Sequence, residues 1–267
     1  MTDFDRTQLA NALNEIAIQA GTKIMEIYDR GAEVREKSDK SPVTDADEAG
    51  EEIILAGLAK VAPSIPVVAE ESAAAGNIPD VGDCFVLVDP LDGTKEFINR
   101  NGEFTVNIAL IEHGVPTLGV VYAPAKKRLF AVNGDGTAME AVVDCQADNK
   151  SLSNMRAITV NQSADAEGLI VVASRSHRDK KTDELLAAYK VKDMVAAGSS
   201  LKFCLVATGE ADLYPRHGRT MEWDTAAGDA VLRAAGGTMT KMDGSPFTYG
   251  KPQFENPFFI ARGPSED

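Results

Sequence analysis

Cysteine is scarce in this sequence, and its distribution argues against the architectures that depend on it. The 267 residues contain three cysteines, Cys84, Cys145 and Cys204, which lie far apart and form no C-x-x-C pair. An odd, scattered set of this kind favours reduced thiols over a disulfide framework or a zinc site. The acidic N-terminal segment also lacks the apolar core of a signal peptide. We therefore expect a cytoplasmic protein.

Basic residues and long apolar runs are also few. The chain has 27 Lys and Arg against 41 Asp and Glu, a net charge of −14, and a surface for a nucleic-acid polymer would need to be basic. A phosphorylated small molecule is not excluded, because a bound metal reverses the local sign of the charge. No run approaches the ~20 apolar residues of a membrane-spanning helix. We expect no transmembrane segment, and any membrane contact would be peripheral.

The first part of the chain predicts two helices. Apolar residues recur every three or four positions from Leu9 to Ile27, and Gly31 follows as a C-cap. A second helix is expected to begin at Thr44, because Thr44-Asp45-Ala46-Asp47 has the form of a capping box.

Short apolar runs and turn signals then predict two kinds of sheet. The runs 65–69, 85–88, 104–111, 118–122 and 129–132 indicate a largely antiparallel sheet with a hairpin at His113-Gly114. Residues 133–155 are polar and read as loop-rich. Beyond residue 156, strands at 169–173, 189–195 and 211–214 alternate with helices near 178–188, 199–208 and 224–235, which indicates an α/β layer. We predict an α+β subdomain over 1–155 and a smaller α/β subdomain over 156–267.

Two carboxylates stand at the end of an apolar run in the segment Val88-Asp89-Pro90-Leu91-Asp92-Gly93-Thr94. An unpaired charge buried at the end of a strand is costly, and a divalent cation held through oxygen neutralises two clustered carboxylates. The Gly-Thr pair is typical of a helix start, where free N–H groups bind phosphate. The segment therefore predicts a metal site beside a phosphate-ester site.

Four further acidic residues have a plain structural interpretation when each is taken alone. Glu70 and Glu71 follow another apolar run and could be solvated loop residues. Asp224 could simply interact favourably with the dipole at a helix N-terminus. The small residues after it, however, permit close packing that would aim its side chain into a cleft. Asp47 could serve only its capping box. A catalytic role would require the Thr94 hydroxyl close to Asp47, so that the pair takes a proton from water.

Together these segments resemble one superfamily of enzymes. The set Asp47, Glu70-Glu71, Asp89–Thr94 and Trp223–Gly228 is similar to the lithium-sensitive, magnesium-dependent phosphomonoesterases. That superfamily includes inositol monophosphatases, fructose-1,6-bisphosphatases and 3′(2′),5′-bisphosphate nucleotidases. The order and spacing match from the first helix to Gly237. The resemblance implies a layered α-β-α-β-α sandwich of the inositol monophosphatase type.

The resemblance also implies the ligands of two Mg²⁺ ions, with inhibition by Li⁺. The first ion would be held by Glu70, Asp89 and the carbonyl of Leu91, and the second by Asp89, Asp92 and Asp224. Two ions roughly 3.5–4 Å apart clamp the attacking and leaving oxygens of an in-line displacement. The residues implied in catalysis are Asp47, Glu71 and Thr94: Thr94 and Asp47 would activate the water, and Glu71 would support a third, weaker ion or its waters.

Three basic turns in the second half bear on the substrate. They are 174–178, 198–202 and 214–217, and each alone could be a solvated surface. Their gathering in an acidic chain is what a second phosphate would need, because Arg recognises phosphate through its bidentate fork. All three resemble the CysQ-type bacterial 3′(2′),5′-bisphosphate nucleotidases, whereas inositol monophosphatases tend to have an acidic residue at Arg216.

This resemblance implies hydrolysis of 3′-phosphoadenosine 5′-phosphate to AMP and phosphate, with 3′-phosphoadenylyl sulfate as a further candidate substrate. The substrate-binding residues that it implies are Glu70, Leu91, Asp92, Gly93, Thr94, His177, Gly198, Ser199, Lys202, Arg216 and Asp224. An inositol monophosphatase or broader sugar-phosphate phosphatase is the alternative, followed by a non-catalytic metal or nucleotide binder. The sequence leaves open whether the protein is a monomer or a homodimer, and whether it associates with the cytoplasmic side of the inner membrane.

Overall fold

A computed structural model describes residues 5–37, 40–147, 152–162, 167–174 and 180–263. The chain starts with helix α1 (Arg6–Arg30), a two-stranded ladder of β1 (Val34–Glu36) and β2 (Pro42–Thr44), and helix α2 (Asp45–Val61). Gly31 is the C-cap of α1, with φ at 90°. Thr44 and Asp47 form the capping box of α2. Both predicted helices and their caps are confirmed.

The larger sheet has seven strands within the described residues, in the order β3-β4-β5-β6-β7-β8-β9. The strands are β3 (Val67–Ala69), β4 (Cys84–Asp92), β5 (Thr105–Glu112), β6 (Val115–Ala123), β7 (Arg128–Val132), β8 (Ala138–Val142) and β9 (Ser153–Ala157). Two short helices, α3 (Glu70–Ala74) and α4 (Thr94–Ile98), flank β4, and a 3₁₀ helix, Pro124–Lys126, follows β6. Only the β3–β4 pair is parallel. His113 and Gly114 make the predicted hairpin, both with positive φ, as a two-residue type I′ turn requires.

The second sheet has the order β11-β10-β12-β14-β13. Its strands are β10 (Leu169–Ser174), β11 (Val191–Ala197), β12 (Leu213–Arg216), β13 (Thr238–Lys241) and β14 (Phe259–Arg262), with helices α5 (Lys180–Leu186), α6 (Leu201–Ala207) and α7 (Glu222–Ala234) between them. β10 runs parallel to both β11 and β12, whereas β14 is antiparallel to its neighbours. The predicted alternation of strands and helices is therefore confirmed.

Side chains on opposite faces of single strands show how the layers stack. On β6, a Cβ at Gly119 would touch Ala230 of α7, whereas Tyr122, three residues on and thus on the other face, packs against Gly21 of α1. On β14, Phe259 stacks on Phe203 of α6.

The next residue of β14, Ile260, clusters with Leu186 of α5, on the opposite face of the second sheet. The order of layers is α1 and α2, first sheet, α6 and α7, second sheet, α5. The α-β-α-β-α sandwich is confirmed.

The expectation that residues 133–155 are loop-rich is wrong for strands β8 and β9. Neither strand is a continuous apolar run in the sequence, because β8 carries the charged residue Glu140 at a buried position and β9 carries Arg156. Glu140 pairs there with Arg128 at 2.7 Å and with Arg156 on the next strand. Ion pairs between neighbouring strands thus stabilise this edge of the first sheet, which the pattern of apolar residues in the sequence does not indicate.

The division of the chain at residue 155 stays a prediction. The first sheet ends with Ala157 and the second begins with Leu169. Helix α7 packs against strands β4, β5 and β6 of the first sheet and against β13 of the second, so the two parts share one hydrophobic core. No helix among the described residues is long and apolar enough to cross a membrane.

Candidate active site

The parallel pairing of β3 and β4 brings the ends of two strands together. Ala69 lies opposite Val88, so Glu70 and Asp89 follow at the same edge of the sheet. The Asp89 side chain is buried and accepts a hydrogen bond from the Leu91 amide at 3.0 Å. Burial raises the pKa of Asp89 well above its usual value, and the nearby carboxylates of Glu70, Asp92, Asp224 and Asp47 raise it further.

Asp224 reaches the same cluster from the other half of the chain. It lies in the first turn of α7, where its Oδ2 accepts a hydrogen bond from the Met221 amide at 2.8 Å. Burial raises the pKa of Asp224, and the charges of Asp92 and Glu70 raise it further. The acidic residues that the sequence singled out therefore lie together, at the junction of the two sheets.

This cluster fits a divalent cation by its charge. Each buried carboxylate disfavours ionisation of the others, and a bound cation removes that conflict. Within the described residues, no three acidic, histidine or cysteine side chains are already arranged as a metal cage. Mg²⁺ does not require a closed cage, because it keeps several waters and uses one or two carboxylates together with substrate phosphate.

Lys37 lies at the acidic cluster, and sequence reasoning missed it. Its Nζ donates to Glu70 Oε1 and to Glu71 Oε1, at 2.7 Å each. Burial lowers the pKa of Lys37, but the two carboxylates outweigh it and raise that pKa. Lys37 stands in a polar loop of the sequence, where nothing distinguishes it from a solvated lysine.

Thr94 and Asp47 make the contact that a catalytic role requires. Thr94 Oγ1 donates to Asp47 Oδ1 at 3.1 Å, while Asp47 Oδ2 accepts from the Thr44 amide and hydroxyl. Burial raises the pKa of Asp47 to about 6, against the opposing effect of the Thr44 hydrogen bonds. A carboxylate with this pKa is mostly ionised at neutral pH and can still hold a proton that it accepts, as a general base should.

Glu51 holds the acidic segment in place and was also missed. Its two oxygens accept hydrogen bonds from the Glu71 amide, the Ser72 amide and the Ser72 hydroxyl at 2.5–2.8 Å. These bonds satisfy the first amides of α3 and so orient Glu70 and Glu71. Burial, with the charge of Glu70, raises the pKa of Glu71 to about 7. Glu51 falls within the predicted helix α2, where it reads as an ordinary helix-surface residue.

A cavity of about 240 Å³ opens beside the cluster. Eight residues singled out from the sequence line it: Glu70, Asp92, Gly93, Thr94, Ser199, Lys202, Arg216 and Asp224. The lining residues that sequence reasoning missed include Ser41, Lys95, Arg219 and Thr220. Asp47, Glu71, Asp89 and Leu91 are not among the lining residues.

Basic side chains also line the cavity. Lys202 is 4% exposed, and its Nζ donates to the Ser199 carbonyl at 2.5 Å. Burial lowers the pKa of Lys202 to about 8, and the charge of Arg216 lowers it too, although Asp92 opposes the shift. The buried Nε of Arg216 has no hydrogen-bond partner among the described residues. The cavity thus offers an ammonium and an unused guanidinium donor beside its carboxylates.

Two of the remaining predicted residues stand apart. The Gly198 amide donates to Glu103 Oε2 at 3.0 Å, and a Cβ at Gly198 would come within 2.7 Å of the Glu103 carbonyl. Only glycine fits this close approach, so Gly198 shapes the turn before Ser199. His177 lies outside the described residues.

Comparisons with known proteins agree with this geometry. The family model of the inositol monophosphatase family matches residues 5–257. The chain is 46% identical over 248 residues to the 3′(2′),5′-bisphosphate nucleotidase CysQ of Shigella flexneri, covering 92% of this chain and 96% of the relative. The nucleotidase of the same name from Escherichia coli strain K12 is 45% identical over 249 residues, with the same coverage.

Solved structures share the fold. CysQ from Bacteroides thetaiotaomicron, a bacterial member of the inositol monophosphatase family, superposes with a TM-score of 0.80 at 38% identity, over 97% of this chain and 98% of that one. An IMPase of Thermotoga maritima reaches a TM-score of 0.77 at 24% identity, over 96% and 91%. This chain belongs to the inositol monophosphatase family.

Proposed function

We propose that this protein is a Mg²⁺-dependent phosphomonoesterase that hydrolyses 3′-phosphoadenosine 5′-phosphate to AMP and phosphate. The observation that carries the proposal is that one cavity is lined both by the carboxylates of Glu70, Asp92 and Asp224 and by the basic side chains of Lys202 and Arg216. A nucleotide with two phosphates on one ribose matches such a site. The names of the CysQ relatives support the same substrate class.

The acidic cluster would hold the cations. Glu70, Asp89 and the Leu91 carbonyl would bind one Mg²⁺, and Asp89, Asp92 and Asp224 a second. Bound there, the ions would polarise the phosphate and lower the pKa of a water. An ion at Glu70, or a third, weaker ion at Glu71, would compete with the Lys37 ammonium, which pairs with both carboxylates. We propose inhibition by Li⁺ on the same family basis.

Thr94 and Asp47 would orient the attacking water and take its proton. The Thr94 hydroxyl donates to Asp47, so its lone pairs are free to accept a hydrogen bond from water. A proton leaving that water can pass through the Thr94 hydroxyl to Asp47, whose pKa of about 6 lets it act as a base near neutral pH. The Gly93–Thr94 turn borders the cavity and would face the phosphate that is cleaved.

Lys202 and Arg216 would hold the phosphate that is not cleaved. Lys202 remains largely charged at neutral pH because its pKa of about 8 lies above it. When these residues bind the phosphate, they also orient the ribose. The free energy of binding is thereby used to place the reacting phosphate correctly. We further propose that residues 1–155 supply most of the metal chemistry and 156–267 the nucleotide contacts, in a cytoplasmic enzyme. No described feature supports peripheral membrane association.

The test is one assay of phosphate release on three substrates in Mg²⁺. We expect kcat/KM for 3′-phosphoadenosine 5′-phosphate to exceed that for inositol 1-phosphate and for fructose 1,6-bisphosphate, with activity lost when EDTA removes the metal. A parallel reaction with 3′-phosphoadenylyl sulfate establishes whether the sulfated nucleotide is also a substrate. A higher kcat/KM for inositol 1-phosphate would overturn the proposal in favour of an inositol monophosphatase.

A further inference from the structure

Ser200 bridges the two halves of the acidic cluster. Its amide donates to Asp92 Oδ2 at 2.6 Å, and its hydroxyl donates to the main-chain carbonyl of Asp224, also at 2.6 Å. Ser200 is 1% exposed, so water does not compete for these bonds. One residue therefore ties the end of strand β4 to the first turn of helix α7, from which both carboxylates project.

Asn107 on strand β5 fixes the direction of the Ser200 hydroxyl. Asn107 Nδ2 donates to Ser200 Oγ at 3.2 Å and lies 3.5 Å from Asp92 Oδ2. Because Ser200 Oγ accepts from Asn107, its own hydrogen points to the Asp224 carbonyl. Asp92 Oδ2 is thereby fixed, while Asp92 Oδ1 has no hydrogen-bond partner among the described residues and the side chain lines the cavity.

The same turn also holds Lys202, one of the basic residues that line the cavity. Ser199 has a φ of 52°, in the left-handed region that a non-glycine residue adopts only at some cost. Its hydroxyl lies 2.6 Å from Thr105 Oγ1, and its carbonyl accepts the Lys202 ammonium. A ligand that binds Ser199 or Lys202 therefore also perturbs Ser200, the residue that follows Ser199. The hydrogen bonds of Ser200 hold Asp92 and Asp224.

We propose that Ser200 is a positioning residue that couples cation binding at Asp92 and Asp224 to nucleotide binding at Ser199 and Lys202. The coupling rests on the proposed function, because it assumes a cation at these carboxylates. It is reciprocal: a nucleotide that strengthens Mg²⁺ binding is itself bound more strongly by the same factor in the presence of Mg²⁺. Asn107 serves the same chain of bonds.

Calorimetric titration with Mg²⁺, with and without saturating AMP, tests this coupling without turnover. Emission of Trp223, which is the only tryptophan and adjoins Asp224, gives a local readout of the same event. In the wild-type protein we expect AMP to lower the half-saturating Mg²⁺ concentration. Ser200→Ala keeps the amide bond to Asp92 but removes the hydroxyl, so the half-saturating concentration should rise ~5- to 10-fold and the response to AMP should largely disappear.

Three further variants make the result specific. Asn107→Ala should have a similar but smaller effect, and the double variant should be little worse than Ser200→Ala, because both act through one chain of bonds. Thr22→Ala is the matched control, since Thr22 Oγ1 also donates to a main-chain carbonyl, that of Ile18, but in α1.

Unchanged Mg²⁺ binding and an unchanged AMP response in Ser200→Ala and Asn107→Ala would overturn the proposal. An equal loss of Mg²⁺ affinity and of the AMP response in Thr22→Ala would also overturn it, because the effect would then be a general consequence of destabilisation. A wild-type protein that binds no Mg²⁺ would refute the proposed function itself. That outcome is distinct from a wild-type protein that binds Mg²⁺ but shows no response to AMP, which refutes only the coupling.

Discussion

Asp92 is a ligand of the proposed second cation and also interacts electrostatically with Lys202. Burial raises the pKa of its carboxyl, while the Lys202 ammonium and the Ser200 amide lower it. The charge of Asp92 in turn raises the pKa of Lys202. Removing this charge should impair cation binding and lower the charge of Lys202 while leaving the fold intact.

The variant Asp92→Asn tests the cation role of this residue. The amide oxygen can still accept from Ser200, so the structure should hold, but the negative charge that binds Mg²⁺ is lost. We expect kcat to fall about a hundredfold or more, as for other groups that stabilise transition-state charge. Asp243→Asn, at a turn of the second sheet, is the control. Activity close to wild type in Asp92→Asn would refute the ligand assignment.

The variant Arg216→Ala tests the contact with the second phosphate. Loss of a charge-assisted hydrogen bond should lower kcat/KM for the nucleotide bisphosphate by ~10- to 100-fold, with little effect on a simple phosphate monoester. Arg219→Ala is the matched control, because Arg219 lines the same cavity but is exposed and paired with Glu255 at 3.1 Å. If Arg216→Ala lowered kcat/KM for both substrates equally, the proposed contact between Arg216 and the second phosphate would be refuted.

At the scale of elements, the seating of helix α7 on strand β6 sets the position of Asp224. A Cβ at Gly119 would lie 2.7 Å from the Cβ of Ala230 and 2.9 Å from the Ala227 carbonyl. The absence of a side chain at Gly119 is thus what lets α7 approach the sheet. Gly250 and Lys251 hold the start of the same helix, because buried Glu222 accepts hydrogen bonds from their amides.

Gly119→Ala should push α7 away from the sheet. We expect the free energy of unfolding to fall by ~1–3 kcal/mol, as for other overpacked sites, and the apparent Mg²⁺ affinity to fall with it because Asp224 moves. Gly82→Ala is the control, since a Cβ at Gly82 would meet no other atom within 4 Å. Chemical denaturation and Mg²⁺ titration measure the two effects. A Gly119→Ala protein with both values unchanged would contradict the role assigned to this packing.

The sequence predicted the elements whose apolar pattern is local. The stripe of α1 and the capping box of α2 are such cases, as are the apolar runs that became β4 to β7. It did not predict β8 or β9, because Glu140 at the buried position depends on arginines from two other strands. Such a partner becomes visible only once the strands are aligned.

The same distinction holds for the site. Acids at strand ends and at a helix start could be recognised from the sequence because their positions are informative in themselves. Lys37 and Glu51 could not, because their importance comes from contacts with residues 20 to 34 positions away. Ser200 lay within the predicted basic turn 198–202, but its bonds to Asp92 and Asp224 follow from the folded structure alone.

At the scale of the whole molecule, the acidic cluster links stability to pH and to Mg²⁺. Burial raises the pKa of Asp47 from 3.8 to about 6 and that of Glu71 from 4.5 to about 7. Between the ordinary and the raised values, the folded protein binds more protons than the unfolded chain does. Stability must therefore fall as pH rises through this window.

We predict that the metal-free protein melts at a lower temperature at about pH 8 than at about pH 5. Saturating Mg²⁺ should raise the melting temperature by ~5 °C at the higher pH and by less at the lower one, where protons compete for the carboxylates. Differential scanning calorimetry in EDTA and in Mg²⁺ measures both. A metal-free protein whose stability rises steadily over this range would contradict the buried, mutually repelling cluster.

The placement of the two phosphates is the central claim, and the identity of the product tests it most directly. With the cleaved phosphate at the acidic cluster and the retained phosphate at Lys202 and Arg216, 3′-phosphoadenosine 5′-phosphate should give adenosine 5′-phosphate as the nucleotide product, and only when Mg²⁺ is present. Phosphorus NMR of the reaction mixture distinguishes this product from adenosine 3′-phosphate. Formation of adenosine 3′-phosphate, or no turnover in Mg²⁺, would contradict the account.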